Sequence, residues 1–304
     1  MKESKIKKKN TFLKKLFLKL SRSLGYEVMD QSDLTLQDLD GSNSKSSLSK
    51  LGVNSLTLPM GTVKITRPVK SLDIILRTCA SVKMLTQSKE RVFEKEKSEY
   101  TLRCLKSIVN SIKFSEKELK KIKIKLTIID FNSNQEIINK FKTILNNNFF
   151  NYEIKKLEYE KYSAQISDTN EENKPVTNNQ KSNMSNIHQS IELSKTCDDL
   201  IYFVEDDYIH SKNSILELIS AYEKFTSQLN TEVFLCPTDY PYLYRDIENT
   251  NIFIGNQSHW RRINQTLCTF LTSKKMIDKY HEKIAQMCKF EHYPFEKPLH
   301  EIYK

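Results

Sequence analysis

Glycine is scarce in this chain, with five in 304 residues. None of them falls in a GxGxxG or GxxxxGKS/T spacing, so the dinucleotide fingerprint and the P-loop are both excluded. The six cysteines (Cys79, Cys104, Cys197, Cys236, Cys268 and Cys288) form no CxxC pair. That excludes a zinc ribbon and reads as reduced, mostly buried thiols of a cytosolic protein without a secretory signal. Tryptophan occurs once, at position 260. No segment supplies the roughly 20 apolar residues that a spanning helix needs.

Positive charge is abundant but confined. The formal net charge is +10, yet residues 1–24 hold nine Lys/Arg against the single acid Glu3, which leaves +2 for everything after them. A nucleic-acid groove would spread its basic residues over the folded body, so no nucleic-acid partner is expected. On a helix, Phe12, Leu13, Leu16, Phe17, Leu20 and Leu24 share one face, with Lys14, Lys15 and Lys19 beside or opposite it. Residues 1–28 are read as a basic amphipathic helix. It either lies on an anionic membrane surface, on the inner face, or docks on its own domain. Ser, Asp, Asn and Gln dominate from about Asp30, so 29–66 reads as a flexible linker and 67–304 as the main domain.

That domain alternates strand and helix patterns: strands at Leu72–Leu76, Ile124–Ile129 and Tyr152–Leu157, and helices at 98–113 and 135–146, with Ser98 as an N-cap. Such alternation predicts an α/β fold with a mainly parallel sheet and right-handed crossovers. The nearly all-polar stretch 163–182 reads as a mobile flap or an insertion. A helix at 184–195 leads into Leu200-Ile-Tyr-Phe-Val204, which is followed by Glu205-Asp206-Asp207. Short strands near 232–236, 252–255 and 266–272, and helices near 213–227 and 273–289, complete the reading.

Three carboxylates directly after a buried strand are either a solvated start to the next helix or a metal site. Oxygen-only ligands suit Mg²⁺ or Mn²⁺, which in turn hold phosphate oxygens. Arg77 after the first strand and Asp130 after the second would share the same sheet edge. A cation, an acid able to accept from a base or ribose, and a metal cluster suit a nucleoside diphosphate.

From Leu72 onward the sequence resembles glycosyltransferases with the GT-A nucleotide-diphospho-sugar fold, of the family-2-like kind. The resemblance rests on the first strand Leu72–Thr78, "IIDFNSNQE" (128–136), the Asn-containing segment "SNMSNIHQSIELS" (182–194) and "EDD" at 205–207, an ExD variant of the usual DxD. It implies a nucleotide-sugar donor, a glycan or lipid-linked acceptor, and a Mn²⁺ or Mg²⁺ ion held by Glu205 and Asp207. Arg77, Asp130, Asn183 and Asp206 would bind the nucleotide sugar, and Glu296 or else Asp239 would be the general base. His259 and Arg261 flank Trp260, a natural surface for a sugar or diphosphate, although a Trp packed under the sheet edge fits the same pattern. Alternating Tyr240, Tyr242 and Tyr244 suit an acceptor groove or plain strand packing. Alternatives are a sugar-phosphate nucleotidyltransferase and a non-catalytic transferase-like binding module.

Overall fold

The computed structural model describes residues 12–24, 63–80, 96–238, 240 and 251–303. It divides into two units, residues 1–62 and 63–304. In the first, helix α1 spans Phe12–Ser23. Most of the expected linker, the segment 81–95, and Asp239, Tyr242 and Tyr244 lie outside the described residues.

The second unit is α/β. A five-stranded sheet has the order β3-β2-β1-β4-β7, with β1 at Ser71–Thr78, β2 at Lys123–Asp130, β3 at Asn151–Lys156, β4 at Leu200–Glu205 and β7 at Phe270–Ser273. The first four run parallel and β7 is antiparallel to β4. A separate hairpin pairs β5 (Ile252–Ile254) with β6 (His259–Arg261). The stretch expected as a strand near 232–236 contributes a single bridge, Leu235 to Leu271.

Strand alternation sorts the apolar side chains between two cores. Leu72, Ile74 and Leu76 of β1 face one way, with Tyr202 and Val204 of β4. They pack under α2 (Lys97–Phe114), α4 (Gln135–Leu145) and α7 (Ser214–Leu229). Ile75, Ile201 and Phe203 face the other way, under α6 (Asn178–Ser194) and α8 (Lys274–Lys289). Each fully buried Leu or Ile contributes about 1.5–3 kcal/mol, so both faces of β1 and β4 need cover. The parallel β-α-β pattern follows from that need. Edge strand β3 keeps its charges, with Glu153 pairing Lys155 and Lys125, which blunts it against pairing with other chains. Short α3 (Glu116–Leu119), α5 (Tyr159–Ser163) and α9 (Lys297–Tyr303) fill the connections.

One local expectation is corrected and one open reading is narrowed. The N-cap of α2 is Glu96, without a side-chain cap bond, rather than Ser98. The polar stretch 163–182 is anchored instead of forming a free flap. Its last residues already belong to α6, started by a capping box between Thr177 and Gln180. Its centre is held by Asn170, 4 % exposed, which accepts from Glu172 N and Lys174 N and donates to Glu291 Oε2 at 3.2 Å. Ser167 N and Glu171 N donate to the carbonyls of Lys289 and Glu291. Polar composition here supplies hydrogen bonds that hold the segment to the body, although most of its residues are exposed.

Candidate functional site

The parallel strands end on one edge. The connections after β1 and β2 cover one face of the sheet, and the chain reaches β4 by the other face, so the winding reverses between β1 and β4. In open α/β sheets that reversal opens the crevice where ligands bind. Arg77 and Glu205 stand opposite each other there in the strand register.

The three consecutive acids at the end of β4 and in the turn after it have different surroundings. Arg77 Nη2 donates to Glu205 Oε1 at 3.0 Å, and both Nη atoms donate to the Cys268 carbonyl at 3.3 Å. Arg77 is 5 % exposed and Glu205 31 %. Asp207, two residues on, is exposed. Asp206 turns the other way, onto α2. It is buried and pairs with Lys97 Nζ, accepts from Thr101 Oγ1 at 2.7 Å, and receives Cys79 N at 3.3 Å. Cys104 Sγ of the same helix donates to the Glu205 carbonyl at 3.4 Å. The first turns of α2 therefore fix the end of β4.

The electrostatics separate these acids as the geometry does. Burial pushes the Glu205 carboxyl above its ordinary pKa, Arg77 opposes this, and the charges of Asp207 and Asp206 add to the rise. Two carboxylates that repel each other at a half-open strand end gain from a cation between them. Burial acts to lower the Lys97 ammonium's pKa, but Asp206, with Asp207 and Glu205, opposes it and the net shift is upward.

Other expected site residues are engaged in holding the backbone. Asp130, buried at the end of β2, accepts from Thr78 Oγ1 at 2.7 Å, from Ser133 N at 3.0 Å and from Ser133 Oγ at 2.6 Å. Asn132, at φ 58°, completes that turn. Glu296 is 3 % exposed and accepts from Thr266 N at 2.8 Å, Thr266 Oγ1 at 2.9 Å and Cys268 N at 3.3 Å. It thereby braces Leu267 and Cys268, two non-glycine residues in the left-handed region at φ 47° and 59°, a conformation that persists only where surroundings enforce it. Since the Cys268 carbonyl receives Arg77, Glu296 sits at the start of a chain of contacts that ends at Glu205.

Asn183 is exposed on α6. Asn186, one turn on and buried, donates instead to the Ile129 and Thr78 carbonyls at 3.1 and 3.5 Å, tying α6 to the ends of β1 and β2. The signal for it was helix phase, since it lies beside buried Ile187 and Ile191. Lys97 and Thr101, one helical turn apart, carried no signal until their partner Asp206 was placed.

Trp260 is pinned: its Nε1 donates to Glu217 Oε1 at 2.9 Å and its ring meets Phe225 edge-on at 6.0 Å. Glu217 also accepts from Asn256 N and Gln257 N. Gly255 lies so close to this carboxylate that a Cβ there would overlap it. Trp260 lines a cavity of about 550 Å³ together with His259, Arg261, Asn213, Gln257 and Thr238. Tyr240, two residues past Thr238, is buried and meets Tyr208 hydroxyl to hydroxyl at 2.7 Å; Tyr208 adjoins Asp207. His210 is packed inside, its Nε2 2.9 Å from the Tyr202 hydroxyl, and burial lowers its pKa to about 4.

Among the described residues no group of three or more His, Cys, Asp or Glu forms a ready metal cage, and no helix is long and apolar enough to cross a membrane. Comparison with models of known protein families, with curated proteins and with solved structures gives no match.

Proposed function

We propose that the protein is a metal-dependent transferase acting on a nucleoside diphosphate at the β1–β4 edge. Within that class we propose a glycosyltransferase of the GT-A type, moving a sugar from a nucleotide-diphosphate donor to a hydroxyl of a glycan or lipid-linked acceptor. The observation that carries this reading is the division of Glu205-Asp206-Asp207: one acid is buried and fixes the strand end to α2, while Glu205 is partly open at the sheet edge and Asp207 is exposed.

Glu205 and Asp207 would hold Mn²⁺ or Mg²⁺. The fit rests on the donor set: two oxygen ligands, mutually repelling, suit a hard ion that takes one or two protein carboxylates and completes its shell with phosphates and water. When bound, that ion stabilises the charge growing on the leaving diphosphate. Arg77 holds Glu205 in place and brings a fixed positive charge to the same edge. Two buried polar atoms there, Arg77 Nε and Asn186 Oδ1, have no partner among the described residues, and a polar ligand would satisfy them. The Trp260 cavity offers an aromatic wall with amide, imidazole and guanidinium groups, a suitable lining for a sugar acceptor. Glu296 is withdrawn as the base because its oxygens are occupied by Thr266 and Cys268. Asp239 remains the candidate to take the acceptor's proton.

The test is calorimetric titration of UDP and GDP with and without Mn²⁺, followed by a hydrolysis screen of the matching nucleotide sugars. Mn²⁺-dependent binding and slow donor hydrolysis are expected. Absence of binding by either nucleotide in the presence of Mn²⁺ overturns the reading. Pyrophosphate release from a nucleoside triphosphate and a sugar phosphate would replace it with nucleotidyl transfer.

A further inference from the structure

We propose that α1 seats the protein on an anionic membrane surface, lying in the plane of the interface. This rests on the N-terminal unit alone and stands whether or not the transferase reading does.

Six large apolar residues of this unit are exposed: Phe12, Leu13, Leu16, Phe17, Leu20 and Leu24, each 55–80 % accessible. At about 100° per residue they occupy one arc of about 140° around the helix, while positions 14, 15, 19 and 22, all Lys or Arg, fall on the remainder. Leu18 is the exception, falling at about 240° between positions 14 and 22; the other apolar positions are segregated from the basic ones, and the 12-residue helix contains no acid. An apolar stripe of this kind needs a cover, and water is a costly one.

Length and charge decide which cover fits. Twelve residues rise only about 18 Å, well short of the roughly 30 Å hydrocarbon core, so the helix lies on the bilayer and does not span it. A second copy would set one cluster of nine Lys/Arg and one acid against another of the same sign. Anionic headgroups supply the opposite charge around the basic arc while the acyl boundary takes the apolar one. Both halves of the helix are satisfied by that single partner.

The full chain is sedimented with vesicles of phosphatidylcholine alone and of phosphatidylcholine with about 30 % phosphatidylglycerol. Partitioning is expected to be at least about tenfold stronger on the anionic vesicles and to fall steeply between about 0.1 and 0.5 M NaCl as the charges are screened. Leu16→Glu combined with Phe17→Glu should abolish binding without lowering the thermal unfolding temperature of the body. Lys19→Gln should reduce the anionic preference by about fivefold, the effect of roughly one surface charge. Equal partitioning on both vesicle types overturns the proposal, as does binding to neither, or binding that survives the double substitution. Concentration-dependent dimerisation that the double substitution removes, without vesicle binding, assigns the stripe to a second copy instead.

Discussion

Two groups of acids sit in this α/β body, and they differ in how far the protein encloses them. Asp130, Asp206 and Glu296 are buried, and each accepts from at least two side-chain or backbone donors. Glu205 is partly open with Arg77 as its principal partner, and Asp207 is exposed. A buried carboxylate is retained in a fold only when donors replace its water. The buried ones shape backbone, and the more open pair lies where a ligand can reach it. The five acids were equivalent as sequence, and burial divides them.

The division yields a graded set of expectations. Asp207→Asn, which keeps size but removes charge, should lower Mn²⁺-dependent turnover by on the order of a hundredfold or more and leave thermal unfolding unchanged. Wild-type turnover from a folded variant would place Asp207 outside the site. Glu296→Ala should do the reverse. It strands two buried N–H groups, costing about 3–4 kcal/mol of stability, measured by urea unfolding, while the Thr266 hydroxyl keeps Tyr303 as a partner. Residual activity per folded molecule should exceed that of Asp207→Asn by at least about tenfold.

Lys97→Met leaves Asp206 as a buried charge without its cation, at a cost of about 3 kcal/mol. Adding Asp206→Asn should recover part of that loss, and strict additivity of the two substitutions would show that they do not interact. The smallest effect concerns His210. Its folded-state pKa is depressed from 6.5 to about 4 by burial, so the neutral ring's contribution is complete above pH 6.5 and disappears as pH falls toward 4. The loss should reach about 2 kcal/mol near pH 5, and His210→Gln should flatten that part of the stability profile.

Much of this arrangement was legible before the fold was known, and the reasons are local. Strands β1, β2 and β4 announce themselves because both their faces are buried, which leaves near-continuous apolar runs. The burial of Asp206 was not legible, because it lies in the turn after β4 and its partners Lys97 and Thr101 are more than a hundred residues away. The same is true of Glu296. Its donors, Thr266 and Cys268, are some thirty residues away, in a loop whose left-handed turn no periodicity encodes. Asn183 and Asn186 are both asparagines on one helix, and only the phase of α6 against the sheet decides which reaches the strand ends. For segment 163–182 the choice between flap and insertion stayed open because polar composition does not distinguish side chains that bond water from side chains that bond one another. Asn170 does the latter.

The thiol of Cys104 has a use that its hydrogen bond to Glu205 does not suggest. It is fully enclosed, and burial holds it well above the ordinary thiol pKa, so a thiolate-selective alkylating reagent meets no reactive species while α2 remains seated on β4. Labelling at this sulfur must await separation of the two elements. Its rate then acts as a clock for local opening beneath the strand end, read by mass spectrometry on the unaltered protein. Ligands that settle at the β1–β4 edge would slow that clock before any assay of chemistry has been devised.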